Sequence, residues 1–240
     1  MTDPKILVLH VKKGYEERER LMRDVLGKAS LDFEMILDGD LEDLTPKRLE
    51  RYFTGEMKQV APYTSCTMKH LLACEYVIEH QLPGALVMDD DMILYKNFRK
   101  VFAECMEEME HDHIETALIN FEDSALRFVP GRQRRWGKHL YRAQRDRFAG
   151  CYYVTQAAAK MIMDYVYEKK CDMISDVFHK SLIERIGLPY YWCHPCIATQ
   201  GTHNGLLPSS LNEQSAAKQR HRANTWKLKL AYKKLIYLFR

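Results

Sequence analysis

The chain has 240 residues, of which 46% are hydrophobic and 29% are charged, and its formal net charge at pH 7 is +3. This composition is ordinary for a globular protein, and the small net charge argues against one that binds nucleic acid with its whole surface. The seven cysteines are odd in number, and no apolar stretch approaches the ~20 residues of a membrane span. We therefore expect a cytoplasmic protein with buried free thiols.

Strand-like and helix-like segments alternate along the chain, which predicts an α/β layer fold. We expect strands at residues 5–11, 33–37, 85–89, 116–121, 139–142, 148–155 and 190–199. We expect helices at residues 15–28, 46–57, 64–80, 97–110, 156–169, 175–186 and 225–239. Thr45 before Pro46 marks the start of the second helix, because threonine caps helices and proline fits their first position. Loops are expected at 123–147, which is rich in arginine, and at 200–219.

Three consecutive carboxylates, Asp89, Asp90 and Asp91, come directly after the apolar segment 85–88. In open α/β sheets, ligands bind at the carboxyl ends of strands. Because side chains alternate along an extended chain, Asp89 and Asp91 should point to one side and Asp90 to the other. Two like charges on one side favour a hard cation between them, so we predict Mg²⁺ or Mn²⁺ in contact with a diphosphate. A solvated acidic turn is the alternative interpretation.

Seven short motifs follow one another over residues 5–205. They are a first strand followed by Lys12, Lys13, Arg18 and Arg20, the segment Ile36-Leu37-Asp38-Gly39, the segment Ser65-Cys66-Thr67-Met68-Lys69-His70-Leu71, the run Asp89-Asp90-Asp91, a strand and helix at 149–161, the pair Cys171-Asp172, and a closing strand at 195–200. In this order and spacing the chain resembles the glycosyltransferases of family 25, which act in lipopolysaccharide biosynthesis. It departs from that family at His10, in place of asparagine, and at Lys69, in place of serine.

The resemblance implies a GT-A-like nucleotide-sugar-binding domain, with a mostly parallel central sheet flanked by helices, and an inverting hexosyltransferase. It implies a UDP-sugar donor of galactose or a similar hexose, Mn²⁺ or Mg²⁺ as cofactor, and a bacterial surface glycan or lipid-linked glycan as acceptor. The implied donor contacts are Lys12, Arg18, Asp38, His70 and Asp90. The implied metal ligands are Asp89 and Asp91, completed by the late histidine His203, for which a place in an ordinary polar loop is the alternative.

An inverting transfer needs a base that takes the proton from the acceptor hydroxyl. The candidates are Asp172, Asp176, Glu122 and Asp123. Asp172 matches a motif of the resembled family and is our first choice, and Asp176 lies one helical turn further along. Either aspartate would also serve as a cap for the helix predicted at 175–186.

Two other classes of function compete with sugar transfer. The first is another metal-dependent enzyme that acts on phosphates, and the second is a non-catalytic scaffold for glycan assembly at a membrane. Cys193 and Cys196 have the spacing of redox and zinc sites. Because an extended strand would point the two sulfurs to opposite faces, we expect neither role for them.

The C-terminal residues 218–240 are predicted to form a basic amphipathic helix, separate from a catalytic domain at 1–217. Leu228, Tyr232, Leu235 and Phe239 recur at helical spacing, and lysines flank them on both sides. Such a helix suits an anionic membrane surface, which would make the protein peripheral at the inner face of the membrane. Packing of the helix on the protein's own core is an equal alternative. No other feature indicates a nucleic-acid partner.

Overall fold

The computed structural model describes residues 4–207 and 216–240, and helices cover both faces of its central sheet. The strands of this described part are β1 (Lys5–Leu9), β2 (Glu34–Ile36), β3 (Gly84–Asp89), β4 (Met92–Leu94), β5 (Leu118–Asn120), β6 (Leu140–Arg142), β7 (Cys151–Thr155), β8 (Tyr190–Cys193) and β9 (Ala198–Gln200). The α-helices are α1 (Glu16–Lys28), α2 (Pro46–Tyr52), α3 (Pro62–Glu79), α4 (Phe98–His111), α5 (Gln156–Lys169), α6 (Ser175–Ile186) and α7 (Ala216–Leu238).

The central sheet has seven strands in the order β2-β1-β3-β7-β5-β8-β6. Five of them run in one direction, whereas β6 and β7 are antiparallel to the strands beside them. The short strands β4 and β9 form a separate antiparallel pair. The predicted α/β fold, with a mostly parallel central sheet flanked by helices, is confirmed.

Side-chain alternation in the strands builds one hydrophobic core on each face of the sheet. In β1, Leu7 and Leu9 face the core that α2, α3, α5 and α6 cover, and Ile6 and Val8 face the core that α1 and α4 cover. Successive side chains of a strand point to opposite faces, so a sheet buried on both faces requires continuously apolar strands. This requirement explains why β1 and β3 consist almost entirely of apolar residues.

The register between β1 and β3 creates the edge of the sheet that matters for function. The two strands are parallel, and Leu9 pairs with Asp89 at their ends. The residues that follow, His10 on one side and Asp90 on the other, therefore emerge next to each other at the carboxyl edge. In sheets of this kind, that edge is where ligands bind.

The second helix begins as predicted and ends early. Thr45 Oγ1 accepts a hydrogen bond from the Arg48 N–H at 3.3 Å, and Pro46 occupies the first helical position. The helix stops before its predicted end at residue 57, because Phe53 is extended and forms a bridge with Cys171. The third helix starts at Pro62, two residues before its predicted beginning.

The predicted strand at 190–199 is divided into β8 and β9. The division falls at His194-Pro195, where proline has no N–H to donate to a β-ladder. After it, β9 pairs with β4, a strand that sequence analysis did not predict. This pairing brings the following loop back to the aspartates, where the Gly201 N–H donates to the Asp91 carbonyl at 2.8 Å.

The C-terminal helix spans Ala216–Leu238, so it begins before the helical pattern at 225–239 and close to the start of the basic segment at 218–240. It rests on the domain through Trp226, which is buried. The predicted loop at 200–219 lies partly outside the described residues. In the ranges that the structure covers, no helix has the apolar length that crossing a bilayer demands.

Candidate active site

A cleft of about 550 Å³ opens at the carboxyl edge of β1 and β3. Its walls come from the residues after β1, the start of α1, the segment 40–42 and one side of α3. The three aspartates close one end, together with Gln200 and Thr202. A cleft of this size is typical of sites for small molecules and cofactors.

The three aspartates line the same cleft and differ in their contacts. Asp89 ends β3, and Asp90 and Asp91 form the turn into β4. Asp90 faces two basic groups, with His10 Nδ1 at 2.8 Å from its Oδ2 and Arg18 Nη1 at 2.9 Å from its Oδ1. Because both oxygens of Asp90 are occupied, this carboxylate orients Arg18 in the cleft and is poorly suited to bind a donor phosphate or a metal itself.

Among the described residues, Asp91 has one carboxylate oxygen that is bound and one that is not. Its Oδ2 accepts hydrogen bonds from the Thr202 hydroxyl and from the Thr202 N–H at 3.3 Å. Its Oδ1 is buried and has no hydrogen-bond partner within residues 4–207 and 216–240. A buried carboxylate oxygen without a partner costs free energy unless a cation or a proton lies beside it.

Acidic side chains from several elements surround this turn. Burial raises the pKa of Asp89 well above its usual value, and repulsion by Asp91 and Asp176 raises it further. Burial also raises the pKa of Glu122 to about 7, although hydrogen bonds to this carboxyl oppose the shift. The pKa values of Asp91 and Asp176 are raised as well, again chiefly by burial. Carboxyls that repel one another at one place produce a potential that favours a cation.

Two adjacent backbone amides hold Glu122 and Asp176 at the turn. The Ala149 N–H donates to Asp176 Oδ1 at 2.7 Å, and the Gly150 N–H donates to Glu122 Oε1 at 2.7 Å. A Cβ at Gly150 would lie 3.3 Å from Glu122 Oε1 and 3.4 Å from Asp89 Oδ2. Glycine at this position therefore lets the backbone approach both carboxylates closely.

The first-choice base, Asp172, is placed elsewhere by the structure. Arg185 binds both of its carboxylate oxygens, at 2.7 and 2.9 Å, and this hydrogen bonding lowers the pKa of Asp172. A carboxylate held in an ion pair with a lowered pKa is a weak base. Asp176 is the candidate whose charge raises the pKa of Asp89, whose own pKa is raised, and whose side chain remains partly accessible.

Asp123 is no better placed for a base, since it is fully buried. It accepts a hydrogen bond from the Tyr95 hydroxyl at 2.8 Å, and Lys234 of α7 lies 3.7 Å away. Glu122 is buried as well, so an acceptor sugar would reach neither side chain without a rearrangement.

The predicted donor contacts divide into two groups. Arg18 lines the cleft, as expected for a diphosphate contact. Lys12 and Asp38 do not line it, because Lys12 Nζ binds Asp43 at 2.6 Å and Asp38 binds Arg48. The structure therefore corrects the assignment of Lys12 and Asp38: their charges are used in a local network beside the cleft.

His70 lies behind Asp89 rather than in the cleft. Its Nε2 is 3.7 Å from Asp89 Oδ1, and its Nδ1 is 3.0 Å from the Tyr152 hydroxyl. Burial lowers the pKa of His70 to about 3, and the neighbouring His179 contributes to this shift. A neutral His70 therefore supports the position of Asp89, in place of the predicted contact with the donor.

Several side chains that shape the site were not among the predicted site residues. Lys69, the departure from the family serine, is nearly buried, and its Nζ lies 2.8 Å from Asp40 Oδ1. Both residues line the cleft, with His10 and Thr202. Lys69 lies 29 residues from Asp40 in the sequence. His10 and Thr202 also contact residues that are distant in the sequence, His10 through the pairing of β1 with β3. No local pattern in the sequence therefore connects these partners.

His203 lies near the turn, since its pKa responds to both Asp91 and Asp176, although burial and Arg222 lower it overall. Its ring packs against Phe148 at 4.8 Å. In the described residues, no three His, Cys, Asp or Glu side chains form a group that could hold a metal ion by themselves. The predicted set of three protein ligands is therefore not assembled.

The residues present nevertheless fit a hard cation that takes only two protein ligands. Asp91 Oδ1 is buried and lacks a partner among the described residues, and Asp89 lies in a repulsive acidic environment. Mg²⁺ and related ions often use one or two carboxylates and complete their coordination with phosphates and water. Asp89 and Asp91 are the residues that would hold such an ion.

The pair Cys193 and Cys196 lies outside the cleft. Cys193 ends β8, and Cys196 follows the proline turn. All seven cysteines are free; six are buried, as predicted, and Cys66 is exposed. Cys193 Sγ lies 3.6 Å from Cys105 Sγ in the hydrophobic core.

Comparison with known proteins gives one family and a set of distant structures. The model of glycosyltransferase family 25 (LPS biosynthesis protein) matches residues 4–179. No curated protein matches significantly. Similar solved structures include A197 from STIV, a glycosyltransferase involved in the glycosylation of the major capsid of PBCV-1, and the inositol-1-phosphate CTP transferase from T. maritima, each at 10% identity.

These similarities cover most of each chain, but their TM-scores are low. The match to A197 covers 80% of this chain and 81% of that one, with a TM-score of 0.43. The match to the capsid glycosyltransferase covers 93% of this chain and 98% of that one, with a TM-score of 0.44. The match to the CTP transferase covers 95% of this chain and 97% of that one, with a TM-score of 0.41. At this distance they carry no conclusion about function.

Proposed function

The chain belongs to glycosyltransferase family 25, and we propose that it transfers galactose or a similar hexose from a nucleotide sugar to a bacterial surface glycan, with Mn²⁺ or Mg²⁺. One observation carries the proposal. At the end of a cleft on the carboxyl edge of the sheet, Asp89 and Asp91 lie among repelling acids, and a buried oxygen of Asp91 has no partner in the described part of the chain. This arrangement suits a cation that accompanies a diphosphate.

The donor, a UDP-sugar by family resemblance, would occupy the cleft with its diphosphate towards the aspartates. Arg18 supports this orientation, since it lines the cleft and is held by Asp90 beside the turn. Arginine binds phosphate oxygens with two parallel N–H groups, which fixes both distance and direction. Tyr15 and Leu41 line the cleft as well and offer apolar surface to the remainder of the nucleotide.

Asp89 and Asp91 would hold the metal by their carboxylates. A bound divalent ion stabilises the negative charge that develops on the departing nucleoside diphosphate. Thr202 fixes Asp91 through its hydroxyl and its N–H, and His70 supports Asp89 from behind. These contacts keep both carboxylates in position before the donor binds, which reduces the reorganisation needed in the transition state.

Asp176 is the base that we propose for the acceptor hydroxyl. The Ala149 N–H fixes one of its oxygens, and burial raises its pKa, which makes it a stronger base than a solvent-exposed aspartate. As Asp176 takes the proton, the acceptor oxygen forms a bond to the anomeric carbon of the sugar. The bond from that carbon to the phosphate oxygen breaks on the opposite side, so the configuration inverts.

Calorimetric titration of the protein with UDP, with and without Mn²⁺, tests donor binding separately from catalysis. We expect binding that Mn²⁺ strengthens at least about tenfold, because Asp89 and Asp91 would hold the ion, and its charge would then attract the diphosphate. A phosphate-transfer enzyme would instead favour a nucleoside triphosphate, and a scaffold that binds no nucleotide would give no heat with either compound.

Replacing Arg18 with glutamine should raise the donor KM about 10- to 100-fold, since a hydrogen bond to a charged group contributes about 1.5–3 kcal/mol. Steady-state kinetics with a varied donor measures this effect. The matched control is Arg20→Gln on the same helix, where the side chain is exposed and outside the cleft. Equal KM values for the two variants would remove Arg18 from the donor site.

Without a divalent ion, the protein should lose stability as the pH rises from about 5 to 8. The pKa values of Asp89, Asp91, Asp176 and Glu122 are raised on folding, the last to about 7. A carboxyl whose pKa is higher in the folded than in the unfolded state stabilises the fold fully at pH values below its unfolded pKa, near 4. This stabilisation is lost as the pH rises through the raised pKa of the folded state.

Mn²⁺ should counter this loss, because it binds the deprotonated carboxylates and stabilises the folded state by about 2.7 kcal/mol at 100 times its Kd. Melting curves at several pH values, in chelator or in Mn²⁺, measure the effect. The melting temperature gained from Mn²⁺ should increase with pH in the wild type and be small throughout in Asp91→Asn. A gain that is the same at pH 5 and pH 8 would argue against metal binding at these acids.

A further inference from the structure

Helix α7 presents two opposite faces, and one of them packs against the domain formed by residues 4–207. On the docked face, Trp226 is buried, Lys234 reaches Asp123, and the Tyr237 ring lies 5.6 Å from the Phe128 ring. The other face carries the apolar stripe, which consists of Leu228, Tyr232, Leu235 and Phe239. The stripe residues recur every three or four positions, whereas Trp226, Lys234 and Tyr237 follow at spacings of eight and three. All of these spacings are close to whole helical turns, so each set lies on one face.

The apolar stripe is exposed along its whole length. Its four side chains are between 54% and 85% accessible to solvent. Single exposed apolar residues are ordinary, but a contiguous row of large ones marks an interaction surface. The docked face already supplies the packing that fixes α7, so the stripe is not needed to hold the helix in place.

The charges beside the stripe are all positive. Lys227, Lys229, Lys233 and Arg240 are exposed, and the sequence contains no Asp or Glu after Glu213. A stripe of leucines and aromatic rings between two rows of cations matches the layers of a bilayer surface, with acyl chains below and anionic headgroups around.

The loop beside the end of α7 carries an exposed aromatic side chain. Gly131 approaches the helix so closely that a Cβ there would meet the backbone of Leu238. Further along the same loop, Trp136 is fully exposed, and Arg132 and Arg135 are exposed near it. Tryptophan is enriched at membrane interfaces, because its ring is apolar and its N–H remains hydrogen-bonded near the headgroups.

We infer that the apolar stripe of α7 and the loop with Trp136 bind the surface of an anionic lipid bilayer. The positive charge on α7 disfavours the pairing of two copies through this stripe, since that would bring two sets of lysines together without an acid in the helix to compensate. Nucleic acid would use the cations but would leave the aliphatic stripe in water. The inference concerns binding alone and does not depend on the transfer reaction.

Co-sedimentation of the full chain with vesicles tests the inference. Vesicles of phosphatidylcholine with about one-third phosphatidylglycerol should bind the protein at least about tenfold more strongly than pure phosphatidylcholine, and high salt should weaken the binding. The variant Leu228→Gln with Leu235→Gln should reduce binding about tenfold or more, because it removes apolar contact while glutamine preserves the helix. The charge variant Lys229→Gln with Lys233→Gln should reduce binding to the anionic vesicles only.

The matched controls carry glutamine at positions away from α7 and should bind like the wild type. They are Val60→Gln, at an exposed apolar residue, and the double variant Lys28→Gln with Lys180→Gln.

Fluorescence gives an independent result, because Trp192 and Trp226 are buried and Trp136 alone of the three tryptophans is exposed. Anionic vesicles should shift the emission to the blue, and Trp136→Phe should abolish the shift. The inference would be overturned by equal binding to both vesicle types or by unchanged binding of the stripe variant. It would also be overturned if the wild type formed a concentration-dependent dimer that the stripe variant does not form.

Discussion

Exchanging Asp91 for asparagine should lower the rate of sugar transfer by about three orders of magnitude or more. A metal that stabilises charge on a leaving group contributes several kcal/mol to the transition state, and each 1.36 kcal/mol corresponds to about tenfold in rate. Asparagine has the same shape as aspartate, and its amide oxygen still accepts the hydrogen bonds of Thr202. The fold should therefore survive while the metal ligand is lost.

The rate of hexose transfer at saturating donor and Mn²⁺ measures this effect, and the melting temperature in chelator verifies that the variant is folded. Asp38→Asn is the matched control, because Asp38 binds Arg48 outside the cleft and should retain transfer within about twofold. Full activity of Asp91→Asn, or of the wild type in excess chelator, would refute the role that we assign to this carboxylate.

Exchanging Asp176 for asparagine should lower kcat by about 10²- to 10⁴-fold, the usual contribution of a general base. The amide still accepts the hydrogen bond from the Ala149 N–H, so the start of α6 should keep its position. Donor affinity, measured by calorimetry with UDP and Mn²⁺, should change little, because the proposed base contacts the acceptor side of the reaction.

Asp172→Asn separates the two candidate bases by the same chemical change. Its carboxylate is bound by Arg185 and has a lowered pKa, so its loss should leave kcat nearly unchanged. A large decrease for Asp172→Asn together with an unchanged rate for Asp176→Asn would return the assignment to the residue that the family motif favoured. A decrease in neither variant would direct attention to Glu122.

Local patterns in the sequence were sufficient to predict the fold class and to single out the acidic run that lines the cleft. The apolar segment that ends at Asp89 predicts a buried strand, and the aspartate marks the carboxyl end of that strand, where ligands bind in such sheets. The alternation of side chains then distinguishes Asp90, which turns towards His10 and Arg18, from its two neighbours. These inferences need only residues that are adjacent in the chain.

The partners of these residues could not be predicted, because they depend on strand register and on long-range packing. His10 reaches Asp90 across 80 residues through the pairing of β1 with β3, and Thr202 reaches Asp91 through the unpredicted pair β4 and β9. The preference for Asp172 over Asp176 had the same weakness. Only the folded chain shows that Arg185 engages one of them and leaves the other beside Asp89.

The nucleotide product released from a panel of nucleotide sugars tests the central claim most directly. The wild-type protein, with Mn²⁺ and a glycan acceptor, should release a nucleoside diphosphate from UDP-galactose or a closely related donor. Release should stop in excess chelator and in the Asp91→Asn variant. Two results would contradict a metal-dependent glycosyltransferase centred on Asp89 and Asp91. One is release of nucleoside diphosphate that continues in excess chelator. The other is release of pyrophosphate from a nucleoside triphosphate, with no nucleoside diphosphate released from any sugar donor.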